Sequence, residues 1–273
     1  MILLDGKKIA EESLVDIKER VKVQSLKLKL AVIQIGDNQI SNVYISKKRD
    51  ACEFTGIGFE LKKFDTETDE SELKTQIIKI VKDKNNSGVI IQLPVPVKFN
   101  RDELLNLIPK EKDVDVLSEK SFSEFSKRNL LIVPPTVGAI SLLLEKYNIG
   151  LKNKKIVIVG AGRLIGKPLS VWLKSQNVEF DLLDKATDDI SLFTKKADIL
   201  ISAVGINGLI NGDMIKDGAV VIDAGSSMKN EKAVGDVDYE SVSKKASHIT
   251  PVPGGVGPLT IVCLLKNLVT FNK

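Results

Sequence analysis

Apolar residues recur at two spacings along the chain, and the alternation between the spacings predicts its elements. Over 7–24, Ile9, Leu14, Ile17 and Val21 stand at roughly helical intervals, and the branched run KLAVIQI at 29–35 then predicts a strand. Ile40 to Gly56 reads as a helix closed by glycine, 59–64 as a short strand, and 71–83 as a helix with Leu73, Ile77, Ile78 and Val81 on one face. Gly88 precedes VIIQLP, an apolar run stopped by proline that fits a buried strand. In the second half, KKIVIVG at 154–160, EFDLLD at 179–184, ADILISAVG at 197–205 and AVVIDAG at 219–225 are short apolar strands. The stretches between them are long enough for crossover helices, as a parallel sheet requires. Two more helices are predicted, 136–147 linking the halves and 259–269, where Leu259, Val262, Leu265 and Val269 recur by three or four.

Length and composition refine this picture. At about 150 residues per domain, 273 residues make two domains more readily than one. Apolar side chains are 43% and charged ones 28%, which fits a globular chain and excludes collagen-like or wholly disordered readings. The expected class is α/β: an N-terminal α/β domain over 1–135, completed by a C-terminal helix at 259–273 that returns to it, and a Rossmann-like domain over 136–258. Forty basic residues against 36 acidic give +4, and the signs are interspersed. Neither nucleic acid nor a membrane is expected as partner. Cys52 and Cys263 make no staple framework, and MILLDGKKIAEE has too short an apolar stretch for a signal peptide, so a cytoplasmic chain with reduced thiols is expected. The single histidine, His248, with two distant cysteines gives no zinc set; no protein-held metal is expected and His248 is assigned no chemistry.

Several motifs can carry chemistry. In VGAGRLIGKP, Gly160, Gly162 and Gly166 follow an apolar strand, where missing side chains let backbone amides and a helix N-terminus approach a pyrophosphate. The spacing is one residue longer than the usual fingerprint, and a packing turn is the plain alternative. The next strand ends at Asp184 and Lys185, where an acid can bind an adenosine ribose and a base a 2′-phosphate; Arg163 adds a cation beside the loop or simply faces solvent. NAD and NADP both stay open. Tyr44 and Lys48 are four apart on one helix face beside Ala51 and Cys52, an arrangement suited to proton transfer or to ordinary helix surface. Gln92 ends a strand where α/β sites form, with Pro94 and Pro96 stiffening the exit; a satisfied loop amide would look the same. Asp113 and Asp115 share a turn in which one carboxylate can order the loop and the other meet a ligand, as generic turn acids also stand. PVPGGVGPLT at 251–260 is a rigid, backbone-exposed loop suited to a planar ligand. On residues alone, a Rossmann oxidoreductase for another metabolite and a non-catalytic dinucleotide-binding protein both remain.

Taken in order, these segments resemble the bifunctional methylenetetrahydrofolate dehydrogenase and methenyltetrahydrofolate cyclohydrolase family over essentially the whole chain. SNVYISKK resembles the family's S-x-x-Y-x-x-x-K signature, VIIQLPVP its QLPLP segment, KDVD its folate-contacting aspartate, and PVPGGVGPLT its C-terminal signature. The resemblance implies a catalytic set of Lys48, Tyr44, Gln92 and Asp115, and a tetrahydrofolate-binding set that adds Ser41, Gly257 and Thr260. It implies NADP or NAD held by Gly160, Ala161, Gly162, Arg163, Gly166, Asp184, Lys185 and Gly205. It also implies a cleft between the domains, Lys48 positioned by Tyr44 and bonded to Gln92, and a homodimer formed through the cofactor domain. Hydride would pass from 5,10-methylenetetrahydrofolate to the dinucleotide, and water would then open the methenyl product to 10-formyltetrahydrofolate.

The chain departs from the family pattern at four places. After Asp115 the usual glycine is Val116, a β-branched residue ill suited to positive φ, so either a different turn or another purpose for the family's glycine is expected there. The P-C-T-P-x-G segment becomes Pro134, Pro135, Thr136, Val137, Gly138, Ala139. The cofactor loop carries Ala161 and Gly162 in place of G-R/A-S, and Asp184 stands where histidine or another polar residue is common. A lost hydroxyl and a gained acid lean toward NAD, while Lys185 and Arg163 keep NADP open.

Overall fold

The computed structural model describes residues 1–229 and 232–272. Along them the strands are β1 (Ile2–Leu3), β2 (Lys29–Ile35), β3 (Gly58–Phe64), β4 (Gly88–Ile91), β5 (Ile156–Val159), β6 (Phe180–Leu183), β7 (Ile199–Ser202), β8 (Val220–Asp223), β9 (Ser227–Lys229), β10 (Lys232–Val234) and β11 (His248–Ile249). The chain divides into two compact units. The first comprises Glu11–Pro135 and Ile261–Lys273, the second Met1–Ala10 and Thr136–Thr260.

In the first unit, β2 lies between β3 and β4 in a parallel sheet. Every residue of β2 after Lys29 is buried, which is why its sequence is apolar on both faces except at Gln34. Ala31, Ile33 and Ile35 of one face pack with Leu73, Ile77, Leu104 and Leu105. The helix Glu70–Lys82 buries Leu73, Ile77, Ile80 and Val81, while Ile78 is left exposed. This corrects the expected face: positions i, i+4, i+7 and i+8 share one stripe, and i+5 turns away from it. The final helix, Val256–Phe271, contributes its later turns to this unit as expected. Asn267 Nδ2 donates to Val114 O at 2.9 Å and to Val133 O at 2.8 Å.

In the second unit, six parallel strands run in the order β1-β11-β8-β7-β5-β6. β5, β7 and β8 are wholly buried, and β5 has β6 on one side and β7 on the other. Strand order therefore reverses beside β5, which is where a doubly wound sheet opens a crevice at its C-terminal strand ends. The first ten residues, expected with the N-terminal domain, instead belong here. Ile2 pairs with His248 and Leu3 with Ile249, and Leu4 is fully buried. A strand of two residues is too short to register in a hydrophobic period. No described helix is long and apolar enough to cross a membrane.

Candidate active site

The lysine of the first unit stands on the helix Gln39–Thr55, whose start and stop are both chemically marked. The Asn38 side chain accepts the Ser41 N–H at 3.0 Å, and Gly56 closes the helix in the left-handed conformation at φ 76°. Ser41 Oγ donates to Leu93 O at 2.9 Å, tying the first turn to the segment leaving β4. Buried Gln34 of β2 donates to Asn42 Oδ1 at 2.7 Å, a second tie at the same end. Two turns on, Lys48 Nζ donates to Gln92 Oε1 at 2.7 Å, and Gln92 Nε2 donates to Leu93 O at 2.9 Å. Gln92 is itself fixed because its N–H continues the sheet to Ile33 O at 2.8 Å.

Lys48, Gln92, Tyr44 and Asp115 are half-buried, while Ala51 and Cys52 beneath them are buried. Burial holds the Lys48 pKa below its usual value, opposed by the negative charge of Asp115. Asp115 is in turn pushed up to about 6 by burial, against the pull of Lys48. Burial also raises the Cys52 thiol to about 12, so it is neutral near pH 7. The Tyr44 hydroxyl makes no hydrogen bond to Lys48 among the described residues. It is Gln92 that holds the amine, because the tyrosine at i−4 shares the helix face while the amide faces it from the end of β4.

The two aspartates of the 113–118 turn divide their work. Asp113, 1% exposed, accepts from Leu117 N at 3.2 Å and Ser118 N at 2.8 Å and so closes the turn. Asp115 is left to present its carboxylate beside Lys48. Of the two alternatives at Val116, that of a turn avoiding positive φ is overturned: Val116 takes φ 58° and is 1% exposed. A buried side chain and the Asp113 bonds hold it in a conformation that costs a β-branched residue about 1–2 kcal/mol.

In the second unit, Gly160 follows β5 at φ 104°, and Gly166 opens the helix Gly166–Ser175. A side chain on Gly166 would run into the Gly160 carbonyl, so the helix start packs directly on the strand exit. No side chain caps this helix; Lys167 N donates back to Gly162 O of the loop at 3.0 Å, and Pro168 at the third position carries no N–H. Asp184, the first residue after β6, accepts from Ala186 N at 2.9 Å, so one carboxylate oxygen serves its own turn. Gly257 and Thr260 lie in the first turn of the final helix, where Thr260 Oγ1 donates to Gly257 O at 2.7 Å. His248 Nδ1 lies 2.9 Å from Ser247 Oγ. Two buried acids of this unit, Asp223 and Asp236, gave no motif in the sequence beyond an acid closing the apolar segment AVVIDAG, because their partners lie far along the chain.

A doubly wound parallel sheet with a glycine loop at its switch point defines the class of dinucleotide-binding folds, and the other unit holds a desolvated lysine on a glutamine. Residues 4–115 match the family model described as tetrahydrofolate dehydrogenase/cyclohydrolase, catalytic domain, and residues 134–273 match that family's NAD(P)-binding domain. The chain belongs to the tetrahydrofolate dehydrogenase/cyclohydrolase family, and is a bifunctional methylenetetrahydrofolate dehydrogenase and methenyltetrahydrofolate cyclohydrolase. It is 43% identical over 275 residues to the bifunctional protein FolD of Hydrogenobaculum sp. (strain Y04AAS1), covering 100% of this chain and 99% of that one. The crystal structure of the bifunctional FolD enzyme of Campylobacter jejuni is similar with a TM-score of 0.94 at 36% identity, covering 100% and 98%. That of Trypanosoma brucei, described as complexed with NADP cofactor and inhibitor, gives 0.93 at 30% identity, covering 99% and 97%.

Proposed function

We propose that Lys48 moves the proton in hydrolysis of the methenyl substrate, that Gln92 holds it in place, and that Asp115 binds the pterin. The observation that carries this is the 2.7 Å bond from Lys48 Nζ to Gln92 Oε1, in surroundings that lower the lysine pKa. A neutral amine at that spot accepts a proton from water as it adds to the methenyl carbon. The ammonium so formed is stabilised by Gln92 and by the field of Asp115. The Asp115 carboxylate accepts hydrogen bonds from the amino-amide edge of the pterin, with Ser41, Tyr44, Gly257 and Thr260 completing the folate site.

The Gly160–Gly166 loop, with Ala161, Gly162 and Arg163, and Gly205 beyond it, holds the dinucleotide, which when bound accepts hydride from the one-carbon bridge. Orientation is the chain's contribution to that step. Asp184 suits the ribose diol and Lys185 a 2′-phosphate, so both NAD and NADP serve; the NADP complex of the Trypanosoma brucei relative supports the second. A homodimer joined through this unit and a cytoplasmic location complete the reading, and light scattering of the purified chain checks the dimer.

Methylenetetrahydrofolate is supplied with NAD or NADP while reduced dinucleotide and methenyl absorbance are followed, and methenyl decay is followed separately above its spontaneous rate. Both activities are expected, and no reduction with either dinucleotide would refute the dehydrogenase reading. Lys48→Met is expected to abolish hydrolysis; near wild-type decay in that variant would remove Lys48 from the mechanism.

A further inference from the structure

The exit of β7 is built around a buried aspartate. Asp236 is fully buried, and its carboxylate meets four donors. Oδ2 accepts from Ser202 Oγ at 2.8 Å and Val204 N at 2.7 Å. Oδ1 accepts from Gly205 N and Ile206 N, both at 2.8 Å. A carboxylate offers about four acceptor positions, so the set is full. Three successive backbone amides thus curl around one carboxylate, the arrangement by which a backbone nest holds an anion. Asp236 is pinned from behind: Asp223, 3% exposed at the end of β8, accepts from Asp236 N at 3.1 Å and Val237 N at 2.9 Å.

The segment so held, Ala203 to Ile206, borders the glycine loop. A methyl group on Gly160 would meet Ala203 O at 2.5 Å, so the exits of β5 and β7 lie in van der Waals contact at the switch point of the sheet. Because the amides of Val204, Gly205 and Ile206 face inward to Asp236, they cannot cradle a phosphate. What the segment offers outward is its apolar side chains, with Val204 39% and Ile206 54% exposed. That chemistry fits a nicotinamide ring, while the glycine loop beside it takes the pyrophosphate.

We infer that Asp236 is a positioning residue for the dinucleotide: it templates residues 203–206 into a preformed apolar wall for the nicotinamide half without touching the ligand. This rests on the dinucleotide reading above. Asp236→Asn keeps the shape but supplies one oxygen and an amide donor, leaving two of the four donors unmatched. In the full-length enzyme the KM and Kd for NADP, or for NAD if that binds more tightly, are expected to rise on the order of tenfold. Methenyl hydrolysis and the KM for methylenetetrahydrofolate should stay within about twofold, a split that a general loss of structure would not give. Ser202→Ala removes one donor without introducing a mismatch and is expected to raise the dinucleotide Kd severalfold with hydrolysis unchanged. Wild-type dinucleotide affinity in Asp236→Asn overturns the inference, as does a parallel fall of both activities. If Asp236→Asn does not fold, an unchanged Kd in Ser202→Ala overturns it. A wild-type enzyme that binds dinucleotide but reduces none refutes the dehydrogenase reading instead, and the Kd comparisons still decide the role of Asp236.

Discussion

Asp115 illustrates how one half-buried carboxyl serves stability and chemistry in opposite directions. Its pKa of about 6, against an ordinary 3.8, means the native state holds the proton more tightly than the unfolded chain. The stabilisation from the protonated form is complete below pH 3.8 and is lost as pH rises through 6. Asp115→Asn is therefore expected to raise Tm by a few degrees at pH 8, with the gap closing toward pH 4; thermal scans across that range check it. The same change removes the charge that raises the Lys48 pKa, so the ascending limb of any residual hydrolysis should move to lower pH. Val116 next door makes a second test. Relief of its left-handed backbone by glycine is worth about 1–2 kcal/mol, but the buried side chain contributes about 1.5–3 kcal/mol. Val116→Gly is thus expected to destabilise by about 1 kcal/mol in denaturant titration, and a gain would show that strain outweighs packing. The shared helix face of Tyr44 and Lys48 and the place of Gln92 at a strand end were legible because each depends on local spacing. The turn at Val116 was misread because buried contacts decide its φ, and sequence spacing does not report them.

At the scale of elements, the helix that carries Lys48 depends on its cap. Asn38 satisfies the Ser41 amide, and Ser41 in turn anchors the helix to the segment after β4. Asn38→Ala is expected to cost about 1 kcal/mol, lowering Tm by roughly 2–4 °C for a chain of this size. It should also slow hydrolysis more than dinucleotide binding, which steady-state kinetics can separate. Strands β2, β4, β5, β7 and β8 were readable because burial on both faces leaves runs of branched residues. β1 and the ribbon of β9 and β10 were not, since two or three residues give no period. The bonds of Asp236 were equally hidden: donors at 202–206 and an acceptor at 236 share no local pattern.

At the scale of the molecule, the expected order of a first domain, an insertion and a closing helix needs one more crossing. The chain passes between units after Ala10, Pro135 and Thr260. Two helices, Gly6–Val23 and Val256–Phe271, contribute residues to both units, so loss of either unit frays the other. A single calorimetric transition is expected, and bound dinucleotide should move all of it upward; two resolved peaks would show the units melting independently. The pairing of β1 with β11 also bears on synthesis, which releases the chain from its N-terminus. Ile2 and Leu3 are made about 245 residues before their partners His248 and Ile249, and the first unit awaits residues 261–272. Neither unit can be completed until residues 248–272 have been made, so chains terminated before them should be left as substrates for chaperones and proteases.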